Sequence, residues 1–193
     1  MNHEDQMTGT LYLVSTPIGN INDISIRAID ILSSVDIILT EDTRVTSNLL
    51  KHHSVKAKSS LQSFNQINED RKAPNIILSL KEGKDIALVS DAGTPLISDP
   101  GYKFIKHARE SNIKVEPIPG CCALIAAIIS SGLPSDRFSF YGFLPRSNSK
   151  RISELKKISV KEETLIFYES VHRIESTIED MINVFGGNRS AVL

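Results

Sequence analysis

Little in this chain points to a special environment. Its 193 residues contain two cysteines, and these are sequence neighbours, Cys121 and Cys122. Adjacent thiols cannot staple distant segments and do not supply a four-ligand metal set, so both are read as reduced packing residues and no metal is expected. No stretch is apolar for long enough to span a bilayer, and Met1-Asn2-His3-Glu4-Asp5-Gln6 lacks the basic start and apolar run of a secretory leader. A cytoplasmic location with no membrane partner is therefore expected. Charge of one sign is lacking as well: 22 basic and 23 acidic residues give a formal net charge of −1. That argues against a surface that coats polyanions generally, while leaving local basic stretches able to hold phosphates. Neither a Gly-Lys-Ser/Thr phosphate loop nor a Gly-x-Gly-x-x-Gly dinucleotide loop occurs, and there is no internal repeat or low-complexity tract.

What is present is an alternation of short apolar runs and helical patterns. Leu11-Tyr12-Leu13-Val14 leads through Thr16-Pro17-Ile18-Gly19-Asn20 to Ser25 and the spacing Ile26, Ile29, Leu32, which reads as strand, turn and capped helix. The unit recurs: Ile37-Ile38-Leu39 with a helix from Thr43, Leu61 to Phe64 with a helix over Glu69 to Lys81, and Ile86-Ala87-Leu88-Val89 with a helix that Asp99 is placed to cap, Pro100 taking its first position. Lys114-Val115-Glu116-Pro117-Ile118 closes the series. Strands at 138–143 and 164–168 and helices near 149–158 and 171–185 follow, and Gly186-Gly187 ends the last helix. The pattern predicts an α/β protein: a disordered tail over 1–8, a mostly parallel helix-flanked lobe over 9–119, and a second α/β lobe over 120–193. Ser190-Ala191-Val192-Leu193 reads as the start of a further strand, so that second lobe is expected to be incomplete.

In parallel α/β sheets, ligands gather outside the carboxyl ends of the strands. Three loops there are chemically unusual: Ser15-Thr16-Pro17-Ile18-Gly19-Asn20; Ser90-Asp91-Ala92-Gly93-Thr94-Pro95-Leu96-Ile97-Ser98-Asp99-Pro100-Gly101; and Pro119-Gly120-Cys121-Cys122-Ala123. Any one of them also fits an ordinary tight turn. Together they suit close approach by a nucleotide-like ligand without phosphates, with backbone groups reading a base and an acid taking a hydroxyl or an amine.

The first two of these loops, with Glu41-Asp42-Thr43-Arg44, Gly132-Leu133-Pro134 and Phe167-Tyr168-Glu169-Ser170-Val171-His172-Arg173, closely resemble the ribosomal RNA small subunit methyltransferase I family, a branch of the tetrapyrrole methylase superfamily. The resemblance runs from about Thr8 to the last residue. It implies a two-lobe fold and S-adenosylmethionine-dependent 2′-O-methylation of a cytidine ribose in the decoding region of 16S rRNA. It further implies a homodimer acting on the assembled 30S subunit. By motif, Pro17, Asp91, Ala92, Gly93, Thr94, Cys122, Ala123, Tyr168 and Glu169 are expected to line an interlobe cofactor cleft. Two departures stand out: Cys121-Cys122 replaces the family's usual Pro-Ser, and Val171 stands where a proline commonly precedes the histidine.

Methyl transfer from a sulfonium is an in-line displacement that mainly demands positioning in a dry cleft, yet a ribose hydroxyl is a weak nucleophile and gains from a base or a cation. Glu41, Asp42, Arg44, His172 and Arg173 are the catalytic candidates. Helix capping and ordinary ion pairing explain the same residues equally well. Arg146, Lys150 and Arg151, with Lys156, Lys157 and Lys161 beyond them, form a basic cluster suited to RNA phosphates, although a solvated helix face would look the same. Two alternatives stay open at this level: a small-molecule, tetrapyrrole-type methylase, and an inactive remnant of the RNA enzyme.

Overall fold

The computed structural model describes residues 8–56 and 59–193, so residues 1–7 of the expected tail lie outside the described residues. The chain divides into two compact units, Met1–Cys122 and Ala123–Leu193. The expected boundary lay three residues earlier.

The first unit alternates strand and helix throughout: β1 (Thr10–Val14), α1 (Ile26–Ser34), β2 (Ile37–Thr40), α2 (Thr43–His52), β3 (Ser60–Ser63), α3 (Glu69–Lys81), β4 (Ile86–Val89), α4 (Tyr102–Glu110) and β5 (Lys114–Ile118). The strands form one sheet in the order β3-β2-β4-β1-β5, and every pairing is parallel. Parallel neighbours need crossovers, and here the crossovers cover both faces. Leu11, Leu39, Ile86 and Leu88 pack with α3 and α4 through Ile76, Leu80, Phe104 and Ala108. Val14, Ile38, Ala87 and Val89 pack with α1 and α2 through Ala28, Leu32 and Leu50. All four residues of β4 are buried, which is why this strand is a continuous apolar run and not an alternating one.

In this unit α1 and α2 start on side-chain caps, whereas α3 and α4 do not. Ser25 caps α1 by accepting the Ala28 amide, and Asp42 caps α2 by accepting the Arg44 amide. The cap expected of Asp99 is not made. Helix α4 begins at Tyr102 after a left-handed Gly101, without a side-chain cap of its own. Glu69, at the start of α3, instead accepts the Phe104 amide at 3.2 Å. A carboxylate from a neighbouring helix thus satisfies a free amide of α4, and Asp99 is released for another environment.

The second unit contains α5 (Ala123–Ser131), β6 (Phe138–Phe143), α6 (Asn148–Ile158), β7 (Thr164–Tyr168) and α7 (Ile174–Phe185). Strands β6 and β7 pair in parallel. On one face Tyr141 and Phe167 stack over the α6–α7 layer of Leu155, Ile158, Met181 and Phe185. On the other, Phe140 and Phe143 meet Tyr168 edge-on, and the Tyr168 hydroxyl accepts the Leu124 amide at the start of α5. Residues 190–193, expected to begin a strand, pair with no strand among the described residues. Among the described residues no helix is long and apolar enough to cross a membrane.

Helices α6 and α7 are joined by a buried ion pair. Arg151 Nε and Nη2 both reach Asp180 Oδ2 at 2.6 Å, and Asn148 Nδ2 donates to both carboxylate oxygens at 2.9 Å. Arg151 is only 4% exposed. Its expected role as a phosphate contact is therefore corrected: Arg151, Leu155 and Ile158 share one buried stripe of α6, and the guanidinium is committed inside the unit. Breaking such a pair leaves an uncompensated buried charge. Asp180→Ala is expected to destabilise the second unit by about 3–5 kcal/mol, read from urea unfolding, whereas replacing both partners with apolar residues should cost far less.

Candidate functional site

The order of the sheet brings four strand ends side by side at its carboxyl edge, in the sequence β2, β4, β1, β5. The connection after β2 runs outward to β3, and the one after β4 runs the other way to β5. The two loops diverge there, which is the switch point at which open α/β sheets bind ligands.

Three of the four loops are fastened together. Thr16 and Gly93 exchange backbone hydrogen bonds at 3.0 and 3.1 Å, and the buried Thr16 hydroxyl donates to the Ser90 carbonyl at 3.0 Å. Thr94 Oγ1 donates to the Cys121 carbonyl at 2.9 Å, so the Ser15 hydroxyl, 3.1 Å from Thr94 Oγ1, serves as the donor to it. Cys121 Sγ donates to the Asp23 carbonyl. Close approach requires small residues: a Cβ on Gly120 would lie 2.8 Å from Ser15 Cβ, and Gly93 has a left-handed φ of 89° with Ile18 beside it. Of the expected cofactor residues in this unit, Gly93 is buried, Pro17, Asp91, Thr94 and Cys122 are partly buried, and Ala92 is exposed. The loops thus present a shallow cradle of backbone edges and small side chains.

The fourth loop, Glu41-Asp42, meets the cradle at Asp91, whose backbone also donates to the Glu41 carboxylate. The Asp42 amide donates to Asp91 Oδ1 at 3.0 Å. Thr40 supports the turn from beneath, its buried hydroxyl 2.6 Å from that of Thr46. The side chain of Asp42 faces the other way, capping α2 and pairing with Arg44, which holds its carboxyl down at about 2. Arg44 is 87% exposed and has Asp42 for its partner. Glu41 differs from both. Partial burial, then the charges of Asp99 and Asp91, push its carboxyl up to about 7. Asp99 is itself raised, first by burial and then by Asp91, against a hydrogen bond from the Ser90 side chain. Asp99 is the residue that sequence reasoning misplaced. The string Ser98-Asp99-Pro100-Gly101 reads as a helix cap, and only the carboxylate of Glu69 on α3 makes that cap unnecessary.

In the second unit, Glu169 accepts from the Ser170 amide, from Arg173 Nη2 and from the Thr177 hydroxyl. Burial raises its carboxyl, but these three donors together hold it below its ordinary value. Glu169 and Arg173 therefore shape the turn from β7 into α7, with Arg173 at the N-cap position. Tyr168 touches the start of α5 through the Leu124 amide. Ala123, His172, Arg146 and Lys150 are exposed. The pair His52 and His53 ends α2, with His53 Nε2 2.8 Å from the Ile21 carbonyl.

The sequence pattern of the tetrapyrrole (corrin/porphyrin) methylases matches residues 10–193. The chain belongs to this family. Among solved tetrapyrrole methylases, the cobalamin biosynthetic enzyme cobalt-precorrin-4 methyltransferase superposes with a TM-score of 0.66 at 16% identity, over 91% of this chain and 74% of that one. Such a likeness speaks for the fold alone. Sequence relatives lie nearer. The chain is 49% identical over 189 residues to a protein of Escherichia coli O157:H7 named ribosomal RNA small subunit methyltransferase I, covering 98% of this chain and 65% of that protein. It is 51% identical over 183 residues to the protein of the same name from Vibrio cholerae, covering 95% and 63%. The chain thus spans slightly under two thirds of the length of these curated relatives.

The raised carboxyl of Glu41 has a thermodynamic consequence. The folded state favours the protonated form, so ionisation of Glu41 erodes stability as pH rises from the ordinary carboxylate value of 4.5 through about 7. Glu41→Gln removes that ionisation. The variant is expected to melt at a higher temperature than the unsubstituted chain at pH 8, with the difference vanishing near pH 4.

Proposed function

We propose that this tetrapyrrole methylase is an S-adenosylmethionine-dependent methyltransferase that modifies the 2′-oxygen of a cytidine ribose in the decoding region of 16S rRNA, in the cytoplasm, with the 30S subunit as substrate and a homodimer as the working form. The observation that carries the reading is the placement of the Glu-Asp-Thr-Arg string against the small-residue loops. Glu41 and Asp42 stand at the sheet's switch point, and the Asp42 amide rests on Asp91. Identity of about half across nearly the whole chain to proteins named for small-subunit rRNA methylation supports the substrate class.

The cradle suits a donor with an adenosine and an amino-acid moiety. A Cβ at Gly120 would press on Ser15 and push two of its loops apart, and Pro17 and Ala92 keep partial or full exposure at its rim. Asp91, held by the Asp42 amide, is placed to accept from a ribose hydroxyl or an ammonium group. Cys122, Ala123, Tyr168 and Glu169 are proposed as further donor contacts, Glu169 through the turn that its carboxylate organises. When bound, S-adenosylmethionine supplies a methyl group on a positively charged sulfur.

The protein's own task is to present the ribose hydroxyl and remove its proton. Glu41 is assigned that proton. A base with a pKa near 7 is substantially ionised at neutral pH while still strong enough to accept a proton in the transition state. Partial burial creates that balance first, and the neighbouring Asp99 and Asp91 add to it by disfavouring a further negative charge beside them. Arg44, exposed at the first turn of α2, and His172 and Arg173 beyond β7 are proposed to steer the RNA. Arg146 and Lys150 are proposed as phosphate contacts.

The test is transfer of labelled methyl from S-adenosylmethionine to small ribosomal subunits lacking this modification, followed by digestion to nucleosides. Label is expected in 2′-O-methylcytidine, and Glu41→Gln is expected to lower the rate by roughly 10²- to 10⁴-fold. Label that enters a tetrapyrrole and never the subunit would overturn the assignment.

A further inference from the structure

Helix α4 carries a feature that the methyl-transfer reading does not use. Its residues Tyr102, Ile105, Lys106, Arg109 and Glu110 recur at the spacing of one helical face. Together with Leu96, which belongs to the loop that also carries Asp91 and Gly93, they line an open groove of about 450 Å³, within the range of sites that hold small ligands. Its floor is apolar and its flanks are charged. Tyr102 is 75% exposed, far more than a core aromatic. Lys106 is loosely paired with Glu110 at 3.8 Å, and Arg109 has no ion pair among those described.

The groove is joined to the cradle by its wall. Leu96 and Ser98 hold left-handed backbone angles of 73° and 66°, conformations that non-glycine residues keep only when their surroundings impose them. Leu96 folds over Gly101, where a Cβ would meet its Cδ2 at 2.8 Å. A helix that follows a strand begins at the carboxyl edge of the sheet, so Tyr102 stands at the edge where the candidate loops lie. The groove runs away from that edge along α4.

We infer that this face of α4 is a binding surface for single-stranded RNA, in which a base stacks on Tyr102 and the backbone beyond it is held by Lys106 and Arg109. The inference rests on the RNA substrate proposed above and adds a surface that would hold nucleotides flanking the modified one. An exposed ring followed by cations on one track is the arrangement that binds unpaired nucleotides without reading sequence, because every base has a face to stack and every linkage a charge to neutralise. Glu110 pairs with Lys106 in the absence of RNA, and a phosphate would take over that lysine. Such a surface answers a need of the reaction: one ribose of a long chain must be kept at the cradle, and phosphate and stacking contacts set register.

The test uses the whole chain and a short, fluorescently labelled single-stranded RNA with a central cytidine, followed by anisotropy over a range of salt. Binding of S-adenosylmethionine to the same preparations is measured by equilibrium dialysis. Tyr102→Ala is expected to weaken RNA binding by roughly 5- to 100-fold, and Tyr102→Trp to preserve it, since stacking needs only a flat ring. Arg109→Glu is expected to weaken binding and to lower the slope of log affinity against log salt by about one. Donor binding should be unchanged in all three. RNA binding by the unsubstituted chain that none of the substitutions alters would overturn the groove while leaving the methyltransferase reading intact. Failure of the unsubstituted chain to bind RNA would overturn the groove as well, and failure to bind the donor too would overturn both. Loss of self-association in Tyr102→Ala with RNA binding untouched would make the face a protein contact and overturn the inference.

Discussion

The insertion of β4 between β1 and β2 is the constraint on which the rest of the first unit depends. Ile86, Ala87 and Leu88 pair with β1 on one side and β2 on the other, and each residue is buried on the face it presents. Placing a late strand in the middle forces the connections after β2 and β4 in opposite directions. That divergence puts Glu41 and Asp42 next to Asp91, although 49 residues separate Asp42 from Asp91 along the chain. The same insertion sets the β1 loop against the β4 loop, where Thr16 and Gly93 exchange two backbone bonds.

Charge then does what topology has prepared. Three carboxylates lie close together beside the cradle, each with different neighbours. The Asp91 carboxylate accepts a backbone amide, Asp99 takes a hydrogen bond from the Ser90 side chain, and Glu41 is left with burial and repulsion as the main influences on it. One group of the cluster is consequently near its midpoint at neutral pH. In the second unit, Glu169 is stabilised by three donors and works as a structural element of a turn. Residue type alone does not separate these two glutamates; their neighbours do.

How far the sequence could be read follows from the range of the forces involved. Local patterns gave the elements well: the apolar run at β4, the serine before α1, the helix over Glu69–Lys81 despite Pro74, and the unusual loops at three strand ends. Strand order was not legible, because parallel pairing joins segments far apart in the chain and leaves no local mark. The same holds for Asp99, whose cap is taken over by Glu69, and for Glu41, whose raised carboxyl depends on burial and then on Asp99 and Asp91, all set by the fold and not by its sequence neighbours. Arg151 is the instructive case. Its spacing with Leu155 and Ile158 marks a buried stripe, but the lysines around it give the segment the composition of a basic surface, and its partner Asp180 lies on another helix.

The central claim is that the carboxyl-edge loops of the first unit form the donor cradle with Glu41 at its border. Mapping backbone amide shifts in a ¹H–¹⁵N spectrum while S-adenosylmethionine is added tests it most directly. The account predicts saturable shifts concentrated in residues 15–20, 41–42, 90–94 and 119–124, with little change at the opposite edge of the sheet near Asp36 and Asp85. Shifts centred on that opposite edge, or none at all at saturating donor, would contradict it.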